Sequence, residues 1–130
     1  FKNLLARYED KATIYALPCP GLMEYVEDGK YNTPEVSNFI EEILKPYRGG
    51  LIDAVVLGCT HYPFVKDKIS HILGPGVRVF DGGEGTAREM RRRIEEVGLL
   101  TDRSEKGEVV FHNSLNSPEK IDLCYRLLNA

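Results

Sequence analysis

Apolar residues recur along the chain at two kinds of interval, and each predicts a different element. Val36, Phe39, Ile40, Ile43, Leu44 and Tyr47 fall at helical spacing and mark an amphipathic helix. Thr33 can cap it, Pro34 suits its first position and Glu35 its dipole. Gly49 and Gly50 end it. Ala54 to Leu57 is instead a continuous apolar run, which predicts a short strand covered on both faces. Gly58 then gives the backbone room to turn. Pro63 opens a second helix, with Val65, Ile69, Ile72 and Leu73 on its buried side.

The same reading extends to both ends of the chain. Phe1, Leu4, Leu5 and Tyr8 share a helix face with no capping residue ahead of them, and there is no initiator Met, so a piece of a longer protein is expected. Ala12 to Leu17 reads as a strand ended by Pro18 and Pro20. Gly74, Pro75 and Gly76 make a turn before a strand at Val77 to Phe80. A following helix is expected to bury Ala87, Met90, Ile94 and Val97 and to stop at Gly98. Glu108 to His112 reads as another short strand. Ser117 and Pro118 open a last helix whose apolar face holds Ile121, Cys124, Leu127 and Leu128. Helix leading into strand and strand into helix is the rhythm of an α/β fold, a parallel sheet flanked by helices.

Composition narrows the class of function. A chain of 130 residues can bury roughly two thirds of its unfolded surface, enough for a core. Its net charge of −3 is small and mixed, which indicates neither nucleic acid nor an anionic membrane as partner. Arg88, Arg91, Arg92 and Arg93 are balanced by Glu84, Glu89, Glu95 and Glu96, with Glu89 and Arg93 one helical turn apart, so they read as a solvated face. No apolar run approaches the roughly 20 residues of a membrane span. Cys19, Cys59 and Cys124 form no disulfide framework, which suits a reducing, cytoplasmic setting.

The candidate chemistry lies where the strand at Ala54 ends. Cys59, Thr60 and His61 put a thiol, a hydroxyl and an imidazole on successive residues above the strand's carboxyl end, where open parallel sheets bind ligands. A helix amino terminus there would favour a substrate carboxylate and the thiolate form of Cys59. The competing reading is a small buried cysteine beside a surface histidine. Two ligands fall short of a zinc site, and no second pair stands at a suitable spacing, so no metal is expected. The glycine-rich run Asp81 to Thr86 lacks the spacing and lysine of a phosphate-binding loop. Cys19 and Cys124 read as packing residues.

The letters LGCTHYP at 57 to 63 resemble the second catalytic motif of glutamate racemases, which interconvert L- and D-glutamate without a cofactor for bacterial cell-wall peptidoglycan. LPCPGLMEYVEDG at 17 to 29 resembles the family's stretch ending in Val-Glu-x-Gly, and VFDGGEGTAREMRRRIEEVGLL resembles the segment where its chain crosses back between lobes. The resemblance implies a fragment of a two-lobed, pseudo-symmetric fold: residues 1–81 in the second lobe and 82–130 returning to the first. It implies Cys59 as one of two opposed proton-transferring thiols, with His61 assisting catalysis. Thr60 and His61 would bind the substrate glutamate, and Glu27 would support His61. The family's Asp-Ser-Gly loop and Cys-Asn-Thr turn do not occur here. A related aspartate or hydantoin racemase, a non-catalytic binding module and a homo-oligomer stay open.

Overall fold

The computed structural model describes residues 5–8, 10–115 and 117–129. The helix expected on Phe1, Leu4, Leu5 and Tyr8 falls largely on residues outside these.

Five α-helices and two strands follow along the described chain: α1 (Leu22–Glu27), α2 (Pro34–Leu44), β1 (Ala54–Val56), α3 (Lys66–Leu73), β2 (Arg78–Phe80), α4 (Gly83–Glu96) and α5 (Pro118–Leu128). Two 3-10 turns intervene, Lys45–Tyr47 after α2 and Tyr62–Val65 before α3. β1 and β2 pair in parallel, with Ala54 opposite Arg78 and Val56 opposite Phe80, so β1, α3 and β2 form one parallel crossover unit. The fold class is thus α/β, as the pattern predicts.

The core lies on one side of this sheet. Leu22 and Val26 of α1, Val36, Ile40 and Leu44 of α2, Leu57 after β1, and Val65 and Ile69 around α3 form one buried cluster. Val55 and Val79, the middle residues of the two strands, pack against it. Their neighbours point the other way: Val56 is 74% exposed and Phe80 46%. The expectation of a strand covered on both faces is therefore corrected. One face is covered by helices and the other is open, because no described element packs there.

Several further expectations change for related reasons. Ala12 to Leu17 and Glu108 to His112 form no strand. A strand needs a partner for its backbone groups, and neither segment finds one in the sheet of β1 and β2. α2 stops at Leu44 rather than at Gly49, since Pro46 cannot donate to a continuing helix and the chain tightens into a 3-10 turn that holds Tyr47. Thr33 occupies the N-cap position in extended backbone but makes no side-chain cap bond. The glycine-rich run is partly helical, since α4 begins at Gly83, whose N–H donates to Asp81 Oδ1 at 2.9 Å. α4 has no buried residue: Met90 is 60% exposed and Val97 is also open. On α5 the deeply buried residue is Leu123, one position before Cys124, while Leu128 is exposed.

No helix among the described residues is long and apolar enough to cross a membrane.

Candidate active site

β1 delivers the Cys59 loop to the edge of the core. Leu57 is buried, and its N–H donates to the Phe80 carbonyl at 2.8 Å, extending the sheet pairing one residue past the strand. The chain then curls. Tyr62 N–H donates to the Cys59 carbonyl and Phe64 N–H to the His61 carbonyl, each at 3.2 Å, which leads into the 3-10 turn containing Pro63. Pro63 thus sits in this turn and α3 starts only at Lys66, a correction to the helix start expected from the sequence. Tyr62 also donates its hydroxyl proton to the Cys19 carbonyl at 3.4 Å, tying the loop to the turn that precedes α1. Gly58 has no positive φ, and a Cβ there would meet open space, so the turn does not require glycine for steric reasons within this chain.

A second element brings Glu27 to the same place. α1 ends at Glu27, and Gly29 (φ 71°) reverses the chain behind it while its N–H donates to the Val26 carbonyl. The carboxylate is left facing the Cys59 loop. Glu27 Oε1 lies 2.8 Å from His61 Nε2, across 34 positions of sequence. An ionised carboxylate only accepts, so Nε2 carries the proton of that bond. The other ring nitrogen, Nδ1, faces Cys59 Sγ at 3.6 Å. A neutral imidazole in this tautomer presents a bare lone pair to the thiol, and an imidazolium presents an N–H to the thiolate. The geometry accommodates either direction of proton movement.

The chain of contacts continues beyond Glu27. Lys120, in the first turn of α5, places Nζ 2.6 Å from Glu27 Oε2 and 3.4 Å from the Glu27 carbonyl oxygen. The Lys120 ammonium, and after it His61, hold the Glu27 carboxyl below its ordinary range. Nothing in the sequence pattern points to Lys120, since a lysine on a helix is ordinarily solvated and this one is 93 positions from its partner. A separate pair, Lys66 with Asp81 at 2.6 Å, braces the loop after β2 against the start of α3, and the Lys66 cation lowers the Asp81 carboxyl.

The remaining sequence candidates are placed as follows. Thr60 stands between Cys59 and His61 on the exposed surface of the loop. Cys19 is half-buried against the core, and burial pushes its thiol up, away from the reactive thiolate. Cys124 is half-buried on α5. Among the described residues no three His, Cys, Asp or Glu side chains converge as a metal would need. Two surface depressions lie along α3, lined by residues such as Asp67 and His71.

Comparison with known proteins yields no matching family model. Glutamate racemase of Clostridium perfringens (strain SM101 / Type A) is 44% identical over 128 residues, 98% of this chain and 49% of that protein. The chain spans about half the length of the curated relatives it matches. Among solved structures, glutamate racemase from Thermus thermophilus in complex with β-chloro-D-alanine superposes with a TM-score of 0.62 at 32% identity, over 84% of this chain and 41% of that one. Glutamate racemase from Francisella tularensis in complex with D-glutamate matches 99% of this chain and 48% of its own, with a TM-score of 0.77 and 23% identity, a likeness of fold. Over nearly its whole length, this chain is homologous to half of a glutamate racemase.

Proposed function

We propose that the chain is the C-terminal half of a cofactor-independent glutamate racemase and contributes one of the enzyme's two proton-transferring thiols, Cys59. The observation that carries this reading is the hydrogen-bonded series Cys59, His61 and Glu27 at the carboxyl end of a parallel strand. The α-proton of an amino acid is a very weak acid. Racemisation without a cofactor therefore needs a base on one face and an acid on the other. Cys59 as thiolate takes the proton from one enantiomer, and as thiol returns it when the reaction runs the other way. His61 accepts or supplies the thiol proton through Nδ1, and Glu27 fixes the tautomer that makes this possible. Thr60, exposed beside Cys59, is placed to meet the substrate.

The opposing thiol belongs, in the family the sequence resembles, to a Cys-Asn-Thr turn that is absent here. The isolated chain is accordingly inactive. Residues 1–81 form the second lobe and 82–130 the return segment, with α5 leaning on α1 at the seam. The complete enzyme is cytoplasmic, takes glutamate as its small-molecule substrate and supplies D-glutamate for peptidoglycan.

The test is α-proton exchange of L- and D-glutamate in deuterated water, followed by NMR, on this chain and on a longer protein that adds the missing half. Exchange with inversion is expected only in the longer protein, and Cys59→Ser should slow it by at least roughly 100-fold, the scale of one acid–base group. Full activity of the 130-residue chain, lost in Cys59→Ala, would show the site complete without a second half. A longer Cys59→Ser protein that kept most of its rate would remove Cys59 from the mechanism.

A further inference from the structure

Glu27 is shared. One carboxylate oxygen accepts from His61 Nε2 at 2.8 Å and the other from Lys120 Nζ at 2.6 Å, so a single negative charge serves two donors from different elements. Among the described residues, the hydrogen-bonded groups at the imidazole come from three elements. Cys59 faces it from its own loop, Glu27 from α1, and Lys120 stands behind Glu27 on α5; the Tyr62 hydroxyl is turned to the Cys19 carbonyl. An unshared carboxylate beside a histidine strongly favours the imidazolium. His61 would then hold its second proton and fix Cys59 as a thiolate. A thiol that must act as base for one enantiomer and acid for the other works against such a lock, because both of its forms must be accessible at one pH.

We propose that Lys120 is a positioning residue for the Cys59 site: by binding the second oxygen of Glu27 it aims the first at His61 and offsets the carboxylate's charge, keeping Nδ1 of the imidazole unprotonated toward the thiol. The arrangement is bidirectional in consequence, since the imidazole can receive the Cys59 proton and give it back. It also makes the site dependent on α5, an element far from Cys59 in sequence. The Lys120 contact with the Glu27 carbonyl at 3.4 Å supports a positional role, because it anchors the lysine to the backbone at the end of α1 as well as to the side chain. The charge balance accords with the low basicity of Glu27, for which the lysine is the principal cause.

This inference rests on the proton-transfer role proposed for Cys59, but its test does not use racemisation, so the two fail separately. The imidazole nitrogens of His61 are followed by 15N NMR against pH in the wild-type chain and in Lys120→Met, Lys120→Arg and Glu27→Gln. In the wild type, Nε2 is expected to hold the proton shared with Glu27. Lys120→Met keeps the apolar stem but removes the cation, and should leave a larger share of the imidazole doubly protonated at a given pH. Lys120→Arg should restore the wild-type value, and Glu27→Gln should lower it. A purely structural lysine would leave the titration unmoved in Lys120→Met. That result overturns the proposal, as does a failure of Lys120→Arg to restore the value. A wild-type His61 that titrates with mixed tautomers, as in an unstructured peptide, also overturns it.

Discussion

Cys59 and His61 are two positions apart, which makes their meeting readable from the letters alone; their consequence depends on residues that are not adjacent. Glu27 reaches His61 across 34 positions, and only the likeness of Val26 to Gly29 to a family motif pointed to it. Lys120 carried no signal at all, because burial and charge pairing at a distance leave no periodic trace in sequence. Glu27 also ties the site to acid stability. Its carboxyl is held below the ordinary value of 4.5 by the Lys120 ammonium and then by His61, so the folded state gains from its ionisation above that pH. The gain is lost as pH falls through the depressed folded value. The side chain is 40% open to solvent, which makes the effect modest. Glu27→Gln should therefore flatten the acid limb of a stability profile below about pH 4.5 and change little near neutrality, as urea unfolding at a series of pH values would read. Unchanged acid slopes in the two proteins would mean that Glu27 is not paired in the folded chain.

At the scale of elements, helices were legible and isolated strands were not. The stripe on α2 appears in the structure as Val36, Ile40 and Leu44 in the core, with Phe39 and Ile43 packed against it. Periodicity suffices there because a helix satisfies its own backbone hydrogen bonds. A strand does not, and the apolar letters of Ala12 to Leu17 and Glu108 to His112 could not reveal whether a partner lay beside them. α4 shows the limit of pattern from the other side. Its apolar positions Met90 and Ile94, with Val97 at its cap, are spaced for burial, yet none is buried. Its visible support is a ladder of ion pairs, Glu84 with Arg88, Glu89 with Arg92 and Arg93, and Arg92 with Glu96. The contrast is measurable. Ile40→Ala should cost about 2–5 kcal/mol and Met90→Ala no more than about 0.5 kcal/mol in thermal or urea unfolding. Equal costs would mean that α4 is covered after all.

For the molecule as a whole, what remains uncovered is as informative as the core. Val56 and Phe80 on the open face of the sheet, Met90 on α4, and Val97, Leu99 and Leu100 beyond it all lie exposed. Apolar surface of this extent is unusual on a free-standing monomer. The chain should self-associate with increasing concentration, and Val56→Glu with Met90→Glu should reduce that association in sedimentation velocity. A strictly monomeric wild type over the same range would count against it. These open positions also explain why a strand read as covered on both faces is covered on one: the letters record apolar character, and the element that would use it is not among the described residues.

The core has one more consequence, for the order of events in folding. Its buried cluster draws on residues between Leu22 and Ile69, joined by Val79 from β2, a stretch of under half the chain. α1, α2, β1, α3 and β2 can therefore collapse around near neighbours with small losses of loop entropy, before anything beyond Phe80 is in place. α5 adds Leu123 and Leu127 from the far end of the chain, and only where it packs does Lys120 reach Glu27. The His61 and Cys59 pair is held within one loop, whereas its electrostatic setting waits on a residue 93 positions from Glu27.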